Sequence, residues 1–226
     1  MASLYIIATP IGNLDDITLR AAATLRMVDV VACEDTRRTL KLLSALDIKK
    51  PLMSCRAENE GAAAKRICEL LAGGKEVAYA SDAGTPALSD PGSLLVREVR
   101  SAGFAVCPIP GVSAFATIVS VAGVRDKTVT FEGFLSPKPG KRRRRLQELL
   151  EREEAFVLYE SPFRILKLLG DLSDLSPDRA IVIGREMTKV YEEYRIDTAQ
   201  GHIAELQQRN KVVGEFTVLV SGNKMA

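Results

Sequence analysis

The sequence is poor in the residues from which many active sites are built. His202 is the only histidine among 226 residues. A serine–histidine–acid triad has to run through that one side chain, and histidine-rich metal sites are excluded. His202 follows a glycine at the start of a predicted helix, QGHIAELQQ, where a solvated surface position is expected. The four cysteines, Cys33, Cys55, Cys68 and Cys107, are widely spaced and form no CxxC pair. They give neither a zinc site nor a disulfide framework, and they read as buried reduced thiols. No metal centre is expected. Long apolar runs are missing as well: Ile6–Ala8 and Phe115–Ala122 fall far short of the roughly 20 residues that cross a bilayer. MASLYIIATP at the N-terminus lacks a basic segment ahead of a long apolar core, so no signal peptide is read. A cytoplasmic protein with no membrane attachment is expected.

Charge of either sign is not in excess. The formal net charge of +2 excludes a globally basic nucleic-acid coating protein. Positive charge is instead concentrated in KPGKRRRR, which carries Lys138, Lys141, Arg142, Arg143, Arg144 and Arg145. Taken alone, that run reads as the solvated start of a helix. Hydrophobic residues make up 46% of the chain, enough to fill one large core or two compact ones.

The first half alternates short apolar runs with amphipathic segments. Strands are predicted at Leu4–Thr9, Val30–Cys33, Leu52–Ser54, Val77–Ala80 and Ala105–Ile109. Helices are predicted over Thr18–Met27 (capped by Asp15 or Asp16), Arg37–Leu46, Glu60–Leu71, Ser93–Ser101 and Ser113–Ala122. Such alternation implies crossover connections and a mostly parallel sheet. The second half differs. Strands are predicted at Val129–Glu132, Ala155–Tyr159, Ala180–Gly184, Tyr191–Asp197 and Glu215–Val220, with helices over Arg142–Arg152, Pro162–Leu169 and Thr198–Gln208. No helix fits between the strands flanking Arg185–Glu193, so a mixed sheet in an α+β domain is expected. The boundary is placed near Gly123–Lys127, giving domains of 1–124 and 125–226.

Ligands of open α/β sheets collect beyond the C-terminal ends of the strands. Four turn-rich loops occupy that position: Thr9–Asn13, Glu34–Arg37, Ser81–Pro86 and Pro110–Ala114. Together they point to a nucleotide-like ligand whose approach to the backbone is eased by small residues. The usual fingerprints are absent. No GxGxxG follows the first strand, and no GxxxxGK[ST] occurs, because Gly140-Lys141 is followed by Arg142 and Gly74-Lys75 by Glu76. Gly111-Val112-Ser113-Ala114-Phe115 lacks the closing glycine of a nucleophile elbow.

The blocks YIIATPIGNLDDITLRA, ACEDTRRT, SDAGTPALSDPG, PIPGVSA, FEGFL, YESPFR, GREMTKVYEE and GEFTVLVSG run in order from Leu4 to Gly222. This series resembles the family of ribosomal RNA small-subunit methyltransferase I, within the tetrapyrrole-methylase superfamily. The resemblance implies a two-domain α/β fold with S-adenosylmethionine in the cleft between the domains, usually as a homodimer. It also implies methyl transfer to the 2′-oxygen of a cytidine in the decoding region of 16S rRNA, as free RNA or in the 30S subunit. Carried onto this chain, the cofactor-binding residues are Pro10, Ser81, Asp82, Ala83, Gly84, Pro110, Ser113, Ala114, Tyr159, Glu160, Glu215 and Phe216. Asp82 is the strongest single candidate, against a plain turn-capping role. Related enzymes often carry a His-acid-His-Asn-Glu stretch where this chain reads Arg56-Ala57-Glu58-Asn59-Glu60, so both histidines are lost.

Without usable histidine, Glu34, Asp35, Glu132, Glu160 and Glu186 are the carboxylates able to take the ribose proton, and the sequence does not rank them. Beside the resemblance, KPGKRRRR reads as a phosphate-gripping loop. Two other readings remain: a small-molecule (corrin or porphyrin) methylase of the same fold, and a non-catalytic RNA-binding assembly protein.

Overall fold

The computed structural model describes residues 2–224. The chain divides at Ser113/Ala114 into two compact units. The first is built from β1 (Ser3–Ile7), α1 (Leu19–Met27), β2 (Val30–Cys33), α2 (Thr36–Ala45), β3 (Leu52–Ser54), α3 (Glu60–Ala72), β4 (Val77–Ala80), α4 (Ser93–Ser101) and β5 (Ala105–Ile109). Its five strands are all parallel, in the order β3-β2-β4-β1-β5. A central strand of such a sheet is covered on both faces, and all four residues of β4 are buried. Along β4 the side chains alternate. Val77 and Tyr79 pack with α3 and α4 through Ile67 and Leu95, while Ala78 and Ala80 pack with α1 and α2 through Leu25 and Leu43.

Local chemistry sets the helix starts. The Thr18 hydroxyl caps α1 by accepting from the Ala21 amide at 3.0 Å. Asp15 and Asp16, the caps expected from sequence, belong instead to a 3₁₀ turn over Leu14–Asp16, because the Asn13 side chain accepts from the Asp15 amide. Helix α4 begins at Gly92, whose φ of 132° suits glycine alone, and an added Cβ there would sit 3.1 Å from Tyr79 Cε1.

The second unit comprises α5 (Ala114–Ala122), β6 (Val129–Phe134), α6 (Pro139–Leu150), β7 (Ala155–Glu160), α7 (Ile165–Leu175), β8 (Arg179–Arg185), β9 (Glu193–Asp197), α8 (Ala199–Gln207) and β10 (Phe216–Lys224). The sheet order is β6-β7-β10-β8-β9, with β6 and β7 parallel and the remaining pairs antiparallel. This is the mixed sheet the sequence implied. One face packs on α6, α7 and α8 through Leu149, Leu169 and Leu206. Truncating any of these to alanine costs about 2–5 kcal/mol.

Three readings change. Helix α5, expected to close the first half, clusters with the second unit, and the division falls before it rather than near Gly123–Lys127. Its Ile118 lies against Gly184 of β8, where a Cβ would come within 2.9 Å, and Phe115 stacks edge-on with Phe131. Helix α6 starts at Pro139, a favoured first helical position, so the four arginines lie in the helix expected from Arg142 onward and not in a phosphate-gripping loop. His202 is 1% exposed, not solvated: Nε2 donates to the Ile181 carbonyl at 2.9 Å, and burial pushes its pKa down.

Candidate active site

The four predicted loops of the first unit do converge at the C-terminal rim of its sheet. Thr9 and Gly84 exchange backbone hydrogen bonds of 2.9 Å each, joining the loops after β1 and β4. The Ser81 hydroxyl donates to the Gly84 carbonyl at 2.9 Å, and Thr9 Oγ1 donates to the Ser81 carbonyl at 3.1 Å. Thr85 Oγ1 reaches the Val112 carbonyl of the loop after β5 at 3.2 Å. The loop after β2 is tied in by Asp82, whose Oδ1 accepts from the Asp35 amide at 2.8 Å. Asp82 therefore links two strands' loops rather than capping its own turn. Pro10, Ala83 and Pro110 remain partly or fully exposed along this rim.

Behind the rim is a group of acids that the sequence only partly disclosed. Burial, and then the Glu34 and Asp82 carboxylates, push Asp90 up to about 7. Burial and then Asp82 raise Glu34 in the same direction. The Tyr79 hydroxyl is fully buried beside these groups and makes no hydrogen bond among the described residues, and burial raises its pKa. Asp90 lies in a segment where Ala87 and Ser89 both have φ of 67°, a conformation non-glycine residues rarely adopt. The segment is anchored by Glu60, a buried carboxylate that accepts from the Gly92 and Leu95 amides at 2.9 Å each. Asp90 closes the block SDAGTPALSDPG without being among the carboxylates the sequence singles out; partial burial beside other acids sets it apart.

The stretch where relatives often carry histidines has a structural role here. Arg56 Nε donates to the Glu34 carbonyl at 3.0 Å, and Asn59 Oδ1 accepts from the Arg56 amide at 2.7 Å. Glu60 holds α4. These contacts brace Glu34 and Asp90 without a histidine.

The other catalytic candidates are occupied. Asp35 caps α2 and pairs with Arg37 at 2.7 Å; hydrogen bonds from the Arg37 side chain and amide hold it well below the usual carboxylate range. Glu132 receives a two-pronged Arg145 contact at 2.7 and 2.8 Å. Glu160, 3% exposed, pairs with Arg164 at 2.7 Å and accepts from the Ser161 amide. Glu186 meets Lys189 at 3.0 Å and the Glu215 amide at 2.8 Å.

In the second unit, Glu160, Phe216 and Arg185 share one register across β7, β10 and β8. Phe216 is 2% exposed, within the core, so its side chain lines no open surface. The Tyr159 hydroxyl accepts from the Phe115 amide at 3.1 Å, and its ring packs against Phe131 and Phe134. Glu215 is exposed and contacts Lys189 at 2.9 Å.

The arginine run is largely neutralised. Arg142 is 5% exposed and bonds Asp171 at 2.7 Å. Arg143 meets Asp174 at 2.9 Å, and Arg145 adds Glu148 at 2.8 Å to its Glu132 contact. Arg142 cannot grip phosphate from inside the core, which corrects that part of the expectation. Lys138, Lys141 and Arg144 stay open.

Residues 3–201 match the family model described as Tetrapyrrole (Corrin/Porphyrin) Methylases. A Borrelia garinii protein named ribosomal RNA small subunit methyltransferase I is 54% identical over 96% of this chain and 98% of its own length. A Thermotoga maritima protein of the same name is 44% identical over 99% of this chain and all of its own length. Among solved structures, a cobalt precorrin-4 methyltransferase of cobalamin biosynthesis superposes with a TM-score of 0.72 at 18% identity, over 97% of this chain and 94% of that one. A diphthine synthase does so with a TM-score of 0.71 at 14% identity, over 100% and 92%. These structures share the fold. With a family model spanning most of its length and relatives alike from end to end, the chain is a methyltransferase of the tetrapyrrole methylase family and belongs within it to the ribosomal RNA small subunit methyltransferase I group.

Proposed function

We propose that the protein transfers a methyl group from S-adenosylmethionine to the 2′-oxygen of a cytidine in the decoding region of 16S rRNA. The observation that carries this reading is the 54% identity, over 96% of the chain, to a relative named for small-subunit rRNA. The chemistry of the rim fits the cofactor: the Asp82 carboxylate, tied to the loop after β2, gives the loops a negative charge suited to a sulfonium or an ammonium group. When bound, S-adenosylmethionine supplies an activated methyl group.

This chain's own residues then have two tasks. Pro10, Ser81–Gly84 and Pro110 hold the cofactor from the first-unit rim, with Asp82 as the charged anchor. Aligning the ribose oxygen with the methyl carbon is worth about 7–11 kcal/mol. Of the five carboxylates considered, Glu34 alone has no ion pair among the described residues, and Asp90 adds a second carboxyl that titrates near neutrality. We assign the ribose proton to this Glu34–Asp90 pair. Lys138, Lys141 and Arg144 make outlying phosphate contacts.

A corrin or porphyrin substrate finds support only in the shared fold, at 18% identity. The rRNA reading extends to work in the cytoplasm and, through the resemblance, to a homodimer; analytical ultracentrifugation tests the latter. No helix among the described residues is long and apolar enough to cross a membrane. The deciding experiment is mass spectrometry of 16S rRNA from a deletion strain, complemented with the parent gene or Asp82→Ala. Loss of one ribose methyl, restored only by the parent, is expected. An unchanged methylation pattern on deletion defeats the reading. A protein with no affinity for S-adenosylmethionine would instead be a non-catalytic assembly factor.

A further inference from the structure

We propose that the cavity between α2 and the loops after β1 and β4 binds a backbone phosphate of the RNA strand, with Arg38 and Lys41 as its grip. The inference rests on the rRNA reading above. The cavity has a volume of about 120 Å³ and is walled by Thr9, Pro10, Leu14, Arg38, Lys41 and Asp82. Sites for whole small molecules run to roughly 300–1,000 Å³. This one suits a single group rather than an entire cofactor or nucleotide.

Helix α2 explains why the two cations face it. Thr39, Leu42 and Leu43 are buried, which turns the opposite side of the helix outward. Arg37 folds back on Asp35 and is used there. Among the described residues Arg38 forms one ion pair, with Asp82, at 3.6 Å between Nε and Oδ2, beyond hydrogen-bond range; Glu34 faces it at longer range, and the Arg38 side chain is 62% exposed. Lys41, one turn further on, makes no ion pair among the described residues and is exposed. Residues three apart on a helix share a face.

Their placement is also costly to the helix. Arg37 and Arg38 sit in the first turn of α2, which has no acidic residue, and none of its basic residues lies in its last turn. Cations there oppose the helix dipole, whereas an anion is attracted to that end. Asp35 already caps the helix end, so a phosphate would satisfy the two side chains. The walls are mixed: Leu14 is 51% exposed and Pro10 half-buried, giving apolar contact for the attached sugar. Asp82 links the cavity to the rim, since its Oδ1 holds the Asp35 amide and its Oδ2 faces Arg38. A phosphate on Arg38 therefore lies beside the residue assigned to anchor the cofactor.

The test uses the full chain, a short decoding-region RNA and S-adenosylmethionine, each measured separately. For Arg38→Ala with Lys41→Ala, RNA affinity at moderate salt is expected to fall about tenfold, as for one lost charge-assisted contact. The slope of log affinity against log salt should shrink by roughly 0.7–0.9, one phosphate's share. KM for RNA should rise while kcat at saturating RNA and cofactor affinity hold. Lys41→Arg should retain binding, separating loss of charge from loss of fold. An unchanged salt slope overturns the proposal. So does a fall in S-adenosylmethionine affinity with RNA binding intact, which would assign the cavity to the cofactor carboxylate. A parent protein that binds and methylates neither the short RNA nor the 30S subunit defeats the rRNA reading itself, whereas a parent that methylates either one with an unaltered double variant defeats this inference alone.

Discussion

Two helices carry the basic runs of this protein, and they treat their charge in opposite ways. Helix α6 holds four consecutive arginines, yet three of them are committed to carboxylates brought in by the fold: Arg142 to Asp171, Arg143 to Asp174, and Arg145 to Glu132. Helix α2 holds only Arg37, Arg38 and Lys41, and two of these stay uncommitted beside a cavity. Charge density along the chain thus misleads about charge available to a ligand. A buried, paired arginine stabilises its surroundings; one with a loose contact at the surface can exchange it for phosphate. The acids divide in the same way. Glu132 and Glu160 are held by arginines, whereas Glu34 and Asp90 form no ion pair among the described residues.

Substitutions can break or sharpen this contrast. The largest effect is expected for Glu34→Gln, which should slow turnover by about 10²–10⁴-fold, with RNA and cofactor affinity kept. Single-turnover kinetics reads it, and a change of less than a few-fold removes Glu34 from the proton transfer. Next comes Arg142→Ala. Leaving Asp171 without its buried partner should cost about 3–5 kcal/mol, seen as a lowered Tm, while RNA binding of the folded fraction stays intact. Lost RNA affinity without lost stability would reverse the roles of the two helices.

Asp90 gives a pH test with a defined sign. Its pKa is raised from 3.8 to about 7 in the folded state, so the native protein holds that proton more tightly than the unfolded chain. The stability this provides is fully present below the unfolded value and is lost as pH rises through the folded one. Asp90→Asn should therefore be no more stable than the parent at pH 4. At pH 8 it should be more stable, by on the order of 1–2 kcal/mol after solvent screening. Denaturant titration at both values checks this. The parent's rate should climb as pH rises through neutrality and then flatten, because the proton acceptor must be ionised. The smallest effect is expected for Arg144→Ala. Its contact with Glu148 is 3.8 Å long and its side chain 74% exposed, so Tm should not move and the RNA salt slope should fall less than for the α2 variant.

Much of the fold could be read locally. β3, β4, β5 and α4 follow the sequence reading residue for residue, since each apolar or amphipathic run is bounded by glycine, proline or a change of period. The rim loops were legible for the same reason. Helix α5 was not, because nothing in AFATIVSVA states which sheet it covers; Gly184, far along the chain, admits it to the second unit. His202 looked solvated from its polar neighbours, and only the sheet beneath α8 supplies the Ile181 carbonyl that buries it.

By itself, the sequence determined the kind of sheet in each half, the four loops at the first rim and the family to which the chain belongs, because these depend on local periodicity, turn residues and order along the chain. The tertiary structure alone decided which charges are spent and which are offered. Arg142 and Asp171, Arg145 and Glu132, and Asp90 and Glu34 are brought together only by folding, and Coulomb and desolvation energies depend on distance and burial in space.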